Sequence, residues 1–272
     1  MMKLRDEKSC ISKDIQKQIK FLINSDNRLK ILECLFSSPQ TVKSIQAQTN
    51  LNLSSISINI NDLEKNGLIT IKNDVIKLTN NCKLLLINIY NLNDTINLVD
   101  DNKDFLNAHM VKNYQFRGLS DLSQLKNCKL IESTTYDVFK TTRIIKDMAL
   151  SSKASKTIFP YMHPQLIEML DYWAENEVDV KLILDEDVSH LFRDAIKEYG
   201  SLKGNISVKT ISRKIEFALA VTENKMFLGL YKDDGKFDYN AVYISEDLEA
   251  INWANDVFRE YEYMSEDYEV IE

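Results

Sequence analysis

The sequence is poor in the residues that bend or open a backbone. Its 272 residues include only six glycines and three prolines. The glycines are Gly67, Gly118, Gly200, Gly204, Gly229 and Gly235, and none falls into G-x-G-x-x-G or G-x-x-x-x-G-K-[ST]. Those patterns let a phosphate approach bare backbone at a helix N-terminus, so P-loop nucleotidases and glycine-fingerprint dehydrogenases are excluded. The G-x-S-x-G nucleophile elbow is also missing. Cys10, Cys34, Cys82 and Cys128 form no C-x-x-C and have no histidine at zinc-finger spacing. No metal and no cofactor is therefore expected. The first ten residues, MMKLRDEKSC, lack the apolar core of a signal peptide. Apolar runs such as Leu84–Ile87 are far too short to span a bilayer. These features predict a soluble cytoplasmic protein, with no membrane partner and reduced core thiols.

What is present begins with charge. The net charge is −7. It divides unevenly: residues 1–80 carry a net +4 and residues 81–272 a net −11. A basic module inside an acidic chain is the balance expected of a nucleic-acid-facing segment. At this length two domains are expected, with boundaries read as 1–80, a linker or dimerisation helix 81–102, and 103–272.

Residues 1–80 read as helices followed by a hairpin. Ile11, Ile15, Ile19 and Leu22 recur at helical spacing over 12–24. Leu29, Ile31, Leu32, Leu35 and Phe36 form the next stripe, which Ser37-Ser38-Pro39 ends. Thr41 caps a third short helix. A fourth starts near Asn52 or Ser54, buries Ile56, Ile60 and Leu63, and closes at Asn66-Gly67. Two short strands, Leu68–Lys72 and Val75–Thr79, meet across Asn73-Asp74. Helix, helix, turn, helix and two-stranded wing is the order of a winged helix-turn-helix domain.

The fourth helix then turns Ser54, Ser55, Ile58, Asn59, Asn61, Asp62 and Lys65 outward. Ser and Asn hydrogen-bond phosphates and base edges, and Asn can read adenine in the major groove. Lys72, Asn73 and Lys77 sit on the wing, within reach of phosphate or the minor groove. Thr41, Lys43 and Ser44 open the preceding helix, whose N-terminus favours phosphate. The expected partner is double-stranded DNA. A competing reading makes the winged helix a protein-docking module of a larger assembly.

Leu85, Ile89, Leu92, Ile96 and Val99 follow at spacings of four and three, a coiled-coil seam two heptads long. They suggest a homodimer, in which two weak readers on adjacent half-sites supply the affinity one lacks. Packing of the same stripe within the subunit is the alternative.

From residue 129 onward strands and helices alternate, which argues for an α/β domain with helices against one sheet. The strands read are Lys129–Ser133, Thr157–Tyr161, Val178–Leu184, Ile206–Thr210, Phe217–Thr222, Lys225–Tyr231 and Asn240–Ile244. Helices are read over Asp137–Ala149, with Val138 apolar, and over Pro164–Asn176 and Val188–Tyr199. Ser245 is expected to cap a last helix from Leu248 to Tyr261, followed by a frayed acidic tail. Asp185-Glu186-Asp187 and Asp233-Asp234 read as solvated loop ends. Tyr161, His163 and Tyr231 are candidate walls of a pocket for an unknown small-molecule effector.

Two stretches carry a family resemblance. Arg28–Phe36 (RLKILECLF), Pro39–Ala47 (PQTVKSIQA) and Leu51–Ile69 (LNLSSISININDLEKNGLI) resemble bacterial and archaeal winged-helix repressors in order and spacing. Many relatives carry Arg or His where this chain has Ile58 and Asn59. Phe105–His109 (FLNAH), Gly118–Ser133, Phe159–Pro164 (FPYMHP), Ala218–Lys225 (ALAVTENK), Leu228–Tyr239 (LGLYKDDGKFDY) and Tyr243–Tyr261 look like the C-terminal domain of archaeal winged-helix regulators of the methanogenesis regulatory protein family. Trp253-Ala254 stands where relatives often have Trp-Gly. The resemblance implies a cytoplasmic, non-enzymatic transcriptional regulator with a C-terminal domain that senses or dimerises. The strand pair around Ala218–Gly229 is also similar to phospholipase-D-like halves. That chemistry needs His-x-Lys. His109, His163 and His190 are followed by Met-Val, Pro-Gln and Leu-Phe, so any such fold here is expected to be non-catalytic, with no catalytic residues.

Overall fold

A computed structural model describes residues 11–109, 122–199 and 203–268. The chain divides into two compact units, Met1–Tyr90 and Asn91–Glu272. The division falls inside a 22-residue helix.

In the first unit, α1 (Lys13–Ile23), α2 (Asp26–Ser37), α3 (Val42–Thr49) and α4 (Leu53–Lys65) precede β1 (Ile69–Lys72) and β2 (Val75–Leu78). Each helix start has a side-chain cap. Ser12, Ser25, Thr41 and Asn52 accept hydrogen bonds from Ile15, Arg28, Ser44 and Ser55 backbone N–H groups. Between α3 and α4, Asn50 takes the left-handed backbone, φ 56°. Ile31, Leu32, Leu35, Ile45, Ile56, Ile60 and Leu63 meet Leu68, Ile69, Ile76 and Leu78 in one core. A backbone pair between Gln40 and Ile76 (3.0 and 2.7 Å) fastens the wing to the turn before α3. At the wing tip Asn73 and Asp74 both have positive φ, 49° and 61°, as a type I′ turn requires. Thr79 Oγ1 accepts from Cys82 N (3.2 Å) at the start of α5 (Asn80–Asp101). Cys82 and Leu86, on α5, close the core from that side.

Gly67 ends α4 at φ 67°. Gly67 N–H donates to Glu64 O (2.9 Å) and Leu68 N–H to Leu63 O (3.0 Å). This is the paired bonding of a Schellman cap.

In the second unit, α6 (Lys103–Ala108), α7 (Lys140–Leu150), α8 (Leu166–Glu175), α9 (Glu186–Tyr199) and α10 (Leu248–Met264) surround an eight-stranded sheet. Its strands are β3 (Lys129–Glu132), β4 (Ala154–Phe159), β5 (Asp179–Asp185), β6 (Ile206–Ile211), β7 (Phe217–Thr222), β8 (Met226–Tyr231), β9 (Phe237–Ser245) and β10 (Glu266–Asp267). Their order is β10-β6-β5-β4-β7-β8-β9-β3. The β4–β5 and β5–β6 pairs are parallel; every other pair is antiparallel. Alternation decides the faces. Ile158, Ile183, Leu219, Val221 and Leu228 turn toward Ala250, Ala254, Val257 and Phe258 of α10. Phe159, Leu182, Leu184, Ala218, Ala220 and Phe227 turn toward α7, α8 and α9. Helices thus cover both faces of the sheet, and all six residues of β7 are buried.

Several expectations are corrected. Val138 precedes α7 and is exposed rather than buried in it. The cap of α10 is Asp247, whose Oδ1 accepts from Glu249 N (2.7 Å), while Ser245 Oγ accepts from Asp247 N (3.0 Å). The acidic tail is not frayed at its start: α10 runs to Met264, and β10 pairs with Thr210 and Lys209 of β6. Residues 269–272, the rest of that tail, lie outside the described residues, as do Cys10, Gly118 and Gly200. Asp185 is no solvated loop end. It is buried at the end of β5 and accepts from Val188 N (3.0 Å) and Ile215 N (3.4 Å). Removal from water pushes its carboxyl up from the ordinary value. Cys82 is a buried free thiol, raised by burial to about 11; Cys34 and Cys128 are half-buried free thiols, and burial takes Cys128 to about 12. No group of histidine, cysteine and acidic side chains among the described residues is arranged to hold a metal. No helix among them is long and apolar enough to cross a membrane.

Replacing Gly67 with Ala forces a Cβ into left-handed backbone and is expected to cost about 1–2 kcal/mol. Gly67→Asn should cost less. Urea unfolding of the full chain, followed through its first transition, measures both.

Candidate nucleic-acid interface

Which face of α4 is free depends on α2. Asn27 Nδ2 donates to Ser55 Oγ (3.0 Å), and the Arg28 guanidinium lies 3.9 Å from the Asp62 carboxylate. Arg28 is itself held, donating to Phe21 O and lying 3.9 Å above the Phe21 ring. Asn59 lies between Ser55 and Asp62 along α4 and is buried, its Nδ2 donating to Ser55 O (2.9 Å). Ser55, Asn59 and Asp62 therefore form the packing side of α4. The expectation that Ser55 and Asn59 face outward is corrected, because i, i+4 and i+7 put them on the row that meets α2.

The exposed side carries Ser54, Ser57, Ile58, Asn61 and Lys65. Ser57 was not singled out from sequence, yet it lies three residues after Ser54 and four before Asn61, so the same helical period marks it. Ile58 is 59% exposed and Leu53 51%. The wing brings Lys72, Asn73 and Lys77 to the surface, with Lys77 opposite Thr70 in the β1–β2 register. Thr41 is spent as the α3 cap. Ser44 Oγ donates to Gln40 Oε1 (2.5 Å) and accepts from Gln48 Nε2 (3.1 Å). Its hydroxyl is therefore engaged locally rather than turned to solvent, while Lys43 is exposed. Exposed hydroxyls, two amides and four lysines can contact phosphate and base edges. The apolar Ile58 can meet a thymine methyl.

On α5, Leu85, Leu92, Ile96 and Val99 are exposed, and Ile89 is half-buried against the first unit's core. Burial on this helix falls instead to Cys82, Leu86 and Leu98.

In the second unit, Tyr161, His163 and Tyr231 do converge, beyond β4 and at the end of β8. Tyr161 lies 4.7 Å from Phe237 and 4.9 Å from Tyr239; Phe237 lies 5.4 Å from Tyr231; His163 stacks 6.3 Å from Phe159. Rings this close pack on one another. Tyr231 and His163 are buried, so these two are core rather than open walls. Burial lifts the Tyr161 phenol and takes Tyr231 to about 12. His109 is also interior: Nδ1 lies 2.6 Å from Phe105 O and Nε2 3.0 Å from Asp238 Oδ2.

The N-terminal-domain model of the methanogenesis regulatory protein FilR1 matches residues 16–100, and its middle-domain model matches residues 138–264. The chain belongs to the FilR1 family. It is 23% identical over 258 residues to "Methanogenesis regulatory protein FilR1" of Methanothrix harundinacea (strain 6Ac). That alignment covers 92% of this chain and 57% of the relative, so the chain spans little more than half the length of the curated relative it matches. Two solved structures are similar at low TM-score. TrmBL2, described as an archaeal chromatin protein with a novel mode of DNA binding, gives a TM-score of 0.39 at 12% identity, covering 94% of this chain and all of that one. NucT from Helicobacter pylori gives 0.41 at 14% identity, covering 52% of this chain and 98% of that one.

Burial holds His163 neutral, its pKa lowered to about 4 from an ordinary 6.5. Its Nδ1 accepts from Gln165 N (3.2 Å), which also requires the neutral ring. The unfolded chain takes up this proton near pH 6.5 and the folded chain only near 4, so the contribution is fully present above 6.5 and is lost as pH falls toward 4. Up to about 3 kcal/mol separates the two ends of that window. Urea unfolding at pH 7 and 4.5 should show a smaller pH-dependent loss in His163→Gln than in the wild type.

Proposed function

We propose that this protein is a DNA-binding transcriptional regulator, reading operator DNA through α4 and the β1–β2 wing, with the second domain setting how firmly the DNA is held. The observation that carries the reading is the exposed row Ser54, Ser57, Ile58, Asn61 and Lys65. It is flanked by the wing lysines and fixed from behind by Asn27 and Arg28. The printed name of the curated relative supports a regulatory role. Acting on genomic DNA, the protein works in the cytoplasm. It works as a binder rather than a catalyst: none of its three histidines opens a His-x-Lys pair, and His109 and His163 are interior.

One reading face with few positive charges gives modest affinity, so the DNA-binding species is a homodimer, with Leu85, Ile89, Leu92 and Ile96 of α5 as its seam. A small-molecule effector of the second domain would act at the Tyr161–Tyr239 side of the ring cluster, where Tyr239 remains 52% exposed. The exposure of Leu53 and Ile58 favours a second reading, in which the same face docks a protein.

Selection of bound fragments from sheared genomic DNA decides between these readings. A recurrent duplex site, lost as salt rises, supports DNA reading. Absence of any salt-dependent retention sinks it. On the selected site, Asn61→Ala should weaken specific binding by about 1–3 kcal/mol while leaving non-specific binding nearly unchanged. Lys72→Ala and Lys77→Ala should weaken all sequences alike, each reducing the salt slope by about one. Asn59→Ala, an interior change, should lower stability and should not alter sequence preference at temperatures where the fold is intact.

A further inference from the structure

Which base a recognition helix selects depends on the side chains it offers. Arginine or lysine takes guanine through O6 and N7, and asparagine or glutamine takes adenine through N6 and N7. A carboxylate takes cytosine N4, and an apolar side chain takes the thymine methyl. The exposed side of α4 is lopsided in these terms. The chain has no arginine between Arg28 and Arg117, so α3, α4 and the wing carry none. Arg28 itself is held on Phe21 and Asp62. The exposed charged residues of α4, Glu64 and Lys65, close its last turn, whereas a recognition helix meets base edges mainly with residues nearer its N-terminus.

The earlier turns offer asparagine, serine and hydrocarbon. Three asparagines are spent within the unit. Asn52 caps α4 by accepting from Ser55 N (2.7 Å), Asn59 donates to Ser55 O (2.9 Å) and Asn66 to Asp62 O (2.8 Å). Asn61 is left exposed, two turns after Ser54 and one after Ile58. At about 100° per residue, Ser54, Ile58 and Asn61 fall within about 60° of one another. They lie on the side opposite the buried Ile56, Ile60 and Leu63.

We propose that the operator core read by α4 is built of A·T pairs, with Asn61 taking adenine N6 and N7 and Ile58 packing on a thymine methyl. This rests on the reading of α4 as the DNA-binding helix and states which bases that helix selects. Ile58 removes apolar area from water only where a methyl stands in the groove, and cytosine has none. Opposite guanine, the Asn61 carbonyl oxygen meets the O6 lone pairs in place of the adenine N6–H donor. The serines accept either kind of base and add no preference. Lys43, Lys72 and Lys77, off the helix, hold phosphates, which carry no sequence information. Three residues rise about 4.5 Å, little more than one base step of about 3.4 Å, so the two contacts fall on the same or adjacent pairs.

Repeated selection from a random duplex library by the full chain gives the site. The expected core requires adjacent A·T pairs, and replacing one by G·C weakens binding about fivefold to a hundredfold. Deoxyuridine then replaces each thymine of the selected site in turn. Uracil keeps the base pair and removes only the methyl, so the wild type should lose about fourfold at one position. Ile58→Ala, and equally Ile58→Ser, should show no further loss there. Asn61→Ala should no longer distinguish A·T from G·C at the same or the adjacent pair. Circular dichroism of these variants should match the wild type, since the altered side chains are exposed. A core that requires G·C pairs, or a wild type indifferent to every uracil, overturns the proposal and leaves DNA reading by α4 standing. So does a uracil loss that both Ile58 variants share in full. Duplexes retained without sequence preference also overturn it and leave only non-specific binding. No salt-dependent retention of any duplex sinks the DNA-binding reading itself.

Discussion

The grip of α2 on α4 governs the first unit of this protein. Asn27 and Arg28 are consecutive residues at the start of α2, and they reach Ser55 and Asp62, two turns apart on α4. Two contacts at that separation fix both the rotation and the tilt of the helix. Once they are made, Asn59 is interior and the row through Ser54, Ser57, Asn61 and Lys65 is left to solvent. Arg28 costs desolvation to place where it is. The offset comes from the Phe21 carbonyl, the Phe21 ring and Asp62. The same residue therefore ties α1 to the orientation of α4.

The second unit solves a different problem. Its sheet is covered on both faces, so β7 and β8 are buried at every position, and apolar but for Thr222 and the Tyr231 hydroxyl at their ends. Polar groups are pushed to strand ends and joined there. Asp185 ends β5 by binding the first turn of α9 and the approach to β7. Asp238 starts β9 beside His109 and Lys232. The ring cluster of Tyr161, Phe237 and Tyr239 occupies the same side of the sheet. Carboxyl ends of parallel strands are where ligands usually enter such sheets; here that position is largely filled by the protein's own aromatics.

Much of the fold is legible in the sequence where one local rule acts alone. The cap at Thr41 and the left-handed Gly67 follow from single residues. So does the hairpin at Asn73-Asp74. Boundaries drift where two rules compete. Two residues can cap the last helix, and Asp247 displaces Ser245 because it sits next to the first turn. Val138 has the spacing of α7 but falls before its start, since the turn from Thr134 to Asp137 is closed first by backbone bonds.

The sequence by itself determined the order of elements in the first unit, the charge division at residue 80 and the buried row Ile56, Ile60 and Leu63 of α4. Periodicity and capping act over a few residues and need no partner. The tertiary structure alone decided which polar residues of α4 are free. Ser55, Ser57 and Asn59 are chemically similar neighbours; the helical period separates Ser57 from the other two but does not say which side meets α2. Only contact with a helix 28 residues earlier in the chain turns Ser55 and Asn59 inward and leaves Ser57 out. It likewise decided that the α1 isoleucines, periodic enough to promise a core, face water in the single chain. A helical period specifies that one face is apolar, and the surroundings specify what that face meets.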